Sequence, residues 1–183
     1  AGASLVRPRR RQHDCLLDWP DRRLSAAGTA LRVRIEPSGA SLTFKGPVAA
    51  APTLLETPLH SVMPETENSG GRMKVREELE SAVADGAIVL AVLERLGLEI
   101  WFRYEKDREE YAYEGAIVAL DDTPVGTFVE VEGEASAIVE MTTRLGRSPD
   151  DYIADSYRSL FTQYCRHHGI ERIHMLFDQA VEE

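Results

Sequence analysis

Arg32, Arg34, Lys45, Arg76, Lys106 and Arg108 are cations that recur in alternating runs of this sequence, and Glu78, Glu80, Asp121, Glu130 and Glu132 are the matching carboxylates. A β-strand turns every second side chain to the same face, so a spacing of two sets Arg32 beside Arg34, Glu78 beside Glu80, Lys106 beside Arg108 and Glu130 beside Glu132. Such a row of fixed positive charge suits a ligand with several negative charges in line, such as a linear polyphosphate, because guanidinium offers forked donors to phosphate oxygens. Carboxylates without amide or imidazole partners suit hard divalent ions, Mg²⁺ or Mn²⁺, held jointly by protein and phosphate. Any one of these pairs reads most simply as a salt bridge. The whole set together points to a binding site.

The elements that must position them follow from hydrophobic periodicity. Leu31, Val33 and Ile35 form an oily face opposite Arg32 and Arg34; after a turn at Pro37-Ser38-Gly39, Leu42 and Phe44 lie opposite Thr43 and Lys45. Residues 13–18 suit a short strand. From Arg72 the alternation returns, with Lys74, Arg76, Glu78 and Glu80 on one face. Asp85 caps a helix reaching Leu96, with Gly97 as its stop. Phe102, Tyr104, Lys106 and Arg108 then share a face, and a hairpin is expected near Glu109-Glu110. A turn over Asp121 to Pro124 leads to a strand from Val125 to Glu132. Ile138, Met141, Thr142 and Leu145 have helical spacing, and Ser148-Pro149-Asp150-Asp151 opens a C-terminal helical region over 149–183. Pro52, Pro58 and Pro64 break the interval 48–71, which reads as a mobile loop, either a lid or an inert insertion.

Several strands thus carry one apolar and one charged face, separated by helices with apolar stripes. Apolar faces turned outward under the helices and charged faces turned inward describe an α+β fold: a closed antiparallel barrel with a charged lumen. Lumen charges must be paired, hydrated or liganded, since isolated buried charges cost several kcal/mol each.

The chain of 183 residues is 43% hydrophobic and 28% charged, which fits a single domain. A net charge of -10 opposes any general affinity for nucleic acid or anionic membrane, so an anion site must be local and enclosed. Arg7, Arg9, Arg10 and Arg11 read as a solvated strand edge or loop. Cys15 and Cys165 have no spacing for zinc, and they favour a reducing, cytoplasmic setting. No apolar run approaches the roughly 18 residues of a membrane span, and the start does not read as a signal peptide.

Leu31-Arg-Val-Arg-Ile35, Leu42-Thr-Phe-Lys-Gly-Pro47, Arg76-x-Glu78-x-Glu80, Lys106-x-Arg108-x-x-Tyr111, and Leu120-Asp121 followed by Gly126-x-Phe128-x-Glu130-x-Glu132 resemble, in order and spacing, the CYTH family. This is the triphosphate tunnel metalloenzyme superfamily, which includes class IV adenylyl cyclases, thiamine triphosphatases and inorganic triphosphatases. The resemblance runs from about Asp14 to the Tyr157 region. It implies an eight-stranded tunnel in which Arg32, Arg34, Lys45, Arg76, Lys106 and Arg108 grip phosphates. Asp121, Glu130 and Glu132 would hold Mg²⁺ or Mn²⁺, with Glu78 and Glu80 as catalytic helpers. Family members open on a strand bearing an ExExK motif. Nothing before Asp14 matches it, and residues 1–12 look like the segment that follows that strand and its helix, so the sequence reads as truncated.

The leading expectation is a metal-dependent phosphohydrolase acting on inorganic triphosphate or a triphosphate-bearing metabolite. A class IV adenylyl cyclase making cyclic AMP and pyrophosphate from ATP is the alternative, and a non-catalytic polyphosphate or nucleotide binder is the third. The expected partner is the triphosphate or nucleotide itself, with neither nucleic acid nor membrane, and a homodimer is left open.

Overall fold

The computed structural model of the chain describes residues 2–48 and 74–178, so the expected loop lies outside the described residues from position 49 onward. Among the described residues seven strands form one sheet: β1 (Ser4–Asp18), β2 (Ala30–Glu36), β3 (Gly39–Lys45), β4 (Glu78–Val83), β5 (Glu99–Tyr113), β6 (Ala116–Thr123) and β7 (Gly126–Gly133). Their spatial order is β4-β3-β2-β1-β5-β6-β7, and every neighbouring pair is antiparallel. The helices are α1 (Arg23–Ala26), α2 (Gly86–Arg95), α3 (Ala135–Arg144) and α4 (Tyr157–His168). The α+β class therefore holds. Among the described residues no hydrogen bonds join β4 to β7, the two ends of the sheet, so pairing does not close it into a barrel.

The first strand departs most from expectation. Instead of a short strand at 13–18 preceded by a solvated basic edge, β1 is a 15-residue strand at the centre of the sheet, paired with β2 and β5. Its cations can sit there because both neighbours supply carboxylates: Arg10 bonds Glu36 of β2 at 2.9 Å and Glu110 of β5 at 2.9 Å. The hairpin expected near Glu109-Glu110 lies later, at Glu114-Gly115, where φ values of 41° and 85° make the left-handed turn that joins two twisted strands. Asp121 correspondingly lies within β6, not in the turn. Residues 74–77 are irregular, which places Lys74 and Arg76 ahead of β4.

Two apolar clusters lie on opposite faces of the sheet. On the oily face, Leu17, Val33 and Leu98 are buried, and Val89, Leu90 and Leu93 of α2 pack onto them. The helix starts where expected because the Asp85 carboxylate accepts from the N–H groups of Ala87 and Ile88, which would otherwise lack partners in the first turn. Helix α3 lies against β6 and β7.

The second cluster corrects the expectation that all helices pack outside. Phe102 and Tyr104 begin the face of β5 that later carries Lys106 and Arg108, and their rings need cover. Helix α4 supplies it with Phe161 and Cys165, joined by Met175. Ser156 caps the start of α4, and Gly169, at φ 65°, ends it. The chain then returns to β5, where Met175 accepts from the N–H of Glu105 at 2.9 Å and donates to Arg103 O at 3.0 Å. No helix among the described residues is long and apolar enough to cross a membrane.

Helix α2 is seated through Gly86, where an added Cβ would stand 2.7 Å from Ile35 Cγ1 and 2.9 Å from the Ala40 Cβ. Gly86→Val should therefore lower stability by about 1–3 kcal/mol through overpacking, read as a shifted urea midpoint with an unchanged slope.

Candidate functional site

Cross-strand register collects the charged residues on one face. Arg34 pairs with Asp14, Arg32 with Thr43, Thr43 with Glu80, Lys106 with Gln12, and Arg108 with both Arg10 and Asp121. Because antiparallel partners point to the same side, all of these side chains project from one surface.

The deepest group centres on Asp121, whose side chain is wholly buried. Lys106 Nζ donates to its Oδ2 at 2.8 Å, Arg108 Nε to its Oδ1 at 2.7 Å, and the Tyr157 hydroxyl to its Oδ2 at 2.6 Å. Arg108 also donates to Glu130, and the Lys106 ammonium lies 4.9 Å from the centre of the Tyr157 ring. These contacts separate the protonation behaviour of the members. Burial opposes the charge on Asp121, yet the hydrogen bonds from Arg108 and the charge of Lys106 outweigh it and hold the carboxyl below its usual range. Tyr157 moves the other way, raised by burial and by the neighbouring Glu130 and Asp121 charges. Burial pulls Lys106 down to about 8; Glu130 and Asp121 oppose that fall, while Arg108 and Arg34 add to it.

A second group lies across β1. Arg34 forks onto Asp14, Nε at 2.9 Å and Nη2 at 3.2 Å. Burial opposes the Arg34 charge, but Asp14 more than restores it and raises its pKa. Arg32 Nη2 reaches Thr43 at 3.1 Å and Glu80 at 3.3 Å, while its buried Nε lies 3.5 Å from Asp14 Oδ1 and has no hydrogen-bond partner among the described residues. The two groups share a field, since Arg34 acts on both Lys106 and Glu80. A face with this arrangement can take an anion without breaking its internal pairs. Arginine has five N–H donors and lysine three, so donors remain after Asp14 and Asp121 are satisfied.

The outlying members are placed differently. Lys45 and Glu78 pair at 2.6 Å at the end of the sheet, both partly exposed. Arg76 donates to Gly28 O at 3.3 Å from outside any strand. Glu132 is exposed at the far end of β7. Asp121 and Glu130, two of the three carboxylates expected to bind metal, share the Arg108 guanidinium. No group of three or more metal-capable side chains converges among the described residues. The described donor set thus offers an ion one convergent pair of carboxylates, Asp121 and Glu130, and not a closed cage.

Sequence reasoning missed Arg10, Gln12, Asp14 and Glu36 of this face. The signal was available: Arg10, Gln12 and Asp14 stand at a spacing of two, leading into Leu16. Tyr104 and Tyr157 gave less signal. The first lies in a row of aromatic residues, and the second comes from a helix, where strand periodicity says nothing.

The CYTH domain family matches residues 5–157. The chain belongs to the CYTH family, whose enzymes are generally metal-dependent. Solved structures of similar fold include a candidate adenylate cyclase from Vibrio parahaemolyticus, with 17% identity, coverage of 87% of this chain and 84% of that one, and a TM-score of 0.64. Another is the PH1819 protein from Pyrococcus horikoshii OT3, at 23% identity, 90% and 88% coverage, and a TM-score of 0.63. A candidate adenylyl cyclase from Hippeastrum, described as revealing a dominant triphosphatase activity, aligns at 16% identity over 90% and 84% with a TM-score of 0.55. No curated protein matches the sequence.

Asp121→Ala would leave Lys106 and Arg108 buried without their shared carboxylate. A loss of about 3–5 kcal/mol is expected at neutral pH, measured by chemical denaturation, against under about 1 kcal/mol for Glu78→Ala at the exposed pair. The folded Asp121 carboxyl titrates below its unfolded value of about 3.9. Its contribution is fully present above that pH and fades on acidification, so the gap between wild type and D121A should narrow as pH falls.

Proposed function

We propose that this protein is a phosphohydrolase that takes inorganic triphosphate, or a metabolite ending in triphosphate, onto the charged face. The observation that carries the reading is the convergence of Arg32, Arg34, Lys106 and Arg108 on one surface, close enough that Arg34 and Arg108 both depress the charge on Lys106. Membership of the CYTH family supports it, as does the triphosphatase activity described for the Hippeastrum protein. Closure of the sheet into a tunnel around the phosphates belongs to the same reading.

The chain's own residues would act by positioning and charge. Arg32 and Arg34 would hold one part of the phosphate chain, and Lys106 and Arg108 the other, with Asp14 and Asp121 fixing the orientation of their donors. A water oxygen bonds to the terminal phosphorus in line, and the bridging P–O bond breaks with its electron pair moving to the departing pyrophosphate. One hydrogen stays on orthophosphate and the other is released. The cations stabilise the charge that develops on the leaving oxygen. The described carboxylates form no metal cluster of their own; Mg²⁺ or Mn²⁺ carried by the phosphate chain would supply charge neutralisation there. Lys45 and Arg76 would extend the anion surface at its end. Glu78, Glu80, Glu130 and Glu132 would act as countercharges around it.

The second reading is a class IV adenylyl cyclase, favoured by the name given to the Vibrio relative. Incubation with tripolyphosphate and with ATP, each with Mg²⁺ or Mn²⁺, separates the two. Orthophosphate release supports the hydrolase, whereas cyclic AMP with pyrophosphate supports the cyclase. Tight binding with no product in either assay leaves a binder. Arg34→Ala and Lys106→Met should each lower turnover by about a hundredfold or more, and unchanged rates in both would remove these residues from the site. Lys106 loses its charge as pH rises through about 8, so tripolyphosphate affinity should weaken above that pH. Calorimetry on Lys106→Arg, which stays charged, should show a flatter profile.

A further inference from the structure

Gln12 stands in the middle of the charged face, only 1% exposed, as the register partner of Lys106 on one side and close to Glu36 on the other. Its Nε2 donates to Glu36 Oε2 at 2.9 Å. Glu36 also accepts from Arg10 and Ser38, so it is an ionised acceptor with no proton to give. That fixes the amide orientation: nitrogen toward Glu36 on β2 and oxygen away from it. The oxygen is buried and has no hydrogen-bond partner among the described residues. The hydrogen bond that Lys106 makes goes to Asp121 and not to this oxygen.

A buried, unpartnered acceptor is out of place on a surface built to receive phosphates. Phosphate oxygens are themselves acceptors, and an acceptor facing them gains nothing. Leaving a carbonyl without a donor costs about 1–3 kcal/mol, a cost that a donor arriving with the ligand would relieve. In phosphoryl transfer one participant is such a donor, the attacking oxygen with its O–H. It is a water in hydrolysis and a ribose hydroxyl in cyclisation.

We propose that Gln12 Oε1 accepts the hydrogen bond that orients the attacking oxygen toward phosphorus on this face. The amide takes no proton. It fixes the direction of the O–H so that an oxygen lone pair points at phosphorus, while Glu36 and Arg10 hold the amide in place. The inference rests on the phosphoryl-transfer reading of the site and adds to it a residue with no cationic or metal-binding role.

Gln12→Met keeps the length and volume of the side chain and removes the acceptor. With tripolyphosphate and with ATP as substrates, whichever the wild type converts, kcat should fall by about a hundredfold. The dissociation constant for tripolyphosphate, measured by calorimetry, should stay within about threefold, because no phosphate contact is lost. Should the methionine variant not fold, Gln12→Asn withdraws the oxygen by one methylene and carries the same expectation. A wild-type kcat in the variant, or a fall that merely follows weakened binding or a lowered unfolding midpoint, overturns the proposal and assigns the oxygen to a structural water. A wild-type protein that converts neither substrate overturns the phosphoryl-transfer reading itself, and this inference with it. That result differs from an active wild type matched by an active variant, which removes Gln12 alone.

Discussion

An ammonium, a guanidinium and a phenol all converge on the two oxygens of Asp121, and the rest of the charged face depends on that arrangement. Lys106 and Arg108 can sit beneath the surface of a folded sheet only because a carboxylate of fixed position neutralises them. Desolvation would otherwise strip the lysine of its proton, and the partial fall of its pKa shows how closely the opposing effects balance. Asp14 has the same part for Arg34. The two buried carboxylates therefore serve as anchors for the cations around them. Each leaves donors of its partners free to meet a ligand.

This constraint also explains how the helices are distributed. A sheet with one wholly polar face would need only the covering that α2 and α3 give. Here β5 changes character along its length, from Phe102 and Tyr104 to Lys106 and Arg108, and a single helix serves both parts. Helix α4 buries the rings with Phe161 and Cys165 and, from its first residue, lays the Tyr157 hydroxyl on Asp121. The covering of an apolar cluster and the completion of a charged one are thus the same packing event.

Much of this was legible in the sequence where side-chain period and strand geometry coincide. The pairing of Arg32 with Arg34 and of Lys106 with Arg108, the cap at Asp85 and the stop at Gly97 all follow from local pattern. The pattern fails where partners come from distant strands. Arg10 looks like part of a solvated basic run because its neutralising groups, Glu36 and Glu110, are about 26 and 100 residues away. The hairpin was expected too early because Glu109-Glu110 has the polarity of a turn, whereas Glu110 is held within the sheet by Arg10. Glu132 shared the alternation of Glu130, yet the strand carries it past the edge of the cluster. Periodicity assigns a face but does not say how far along that face a charge will find company.

The two backbone hydrogen bonds between Met175 and β5 have a wider meaning for the molecule. They cover the stretch of β5 that β6 does not reach, bracketing Tyr104 just ahead of the two site cations. Were that tail to peel away, the N–H of Glu105 and the carbonyl of Arg103 would become an open template for a foreign strand. The C-terminal segment therefore acts as a selvedge, keeping the cloth of the sheet from fraying into its neighbours.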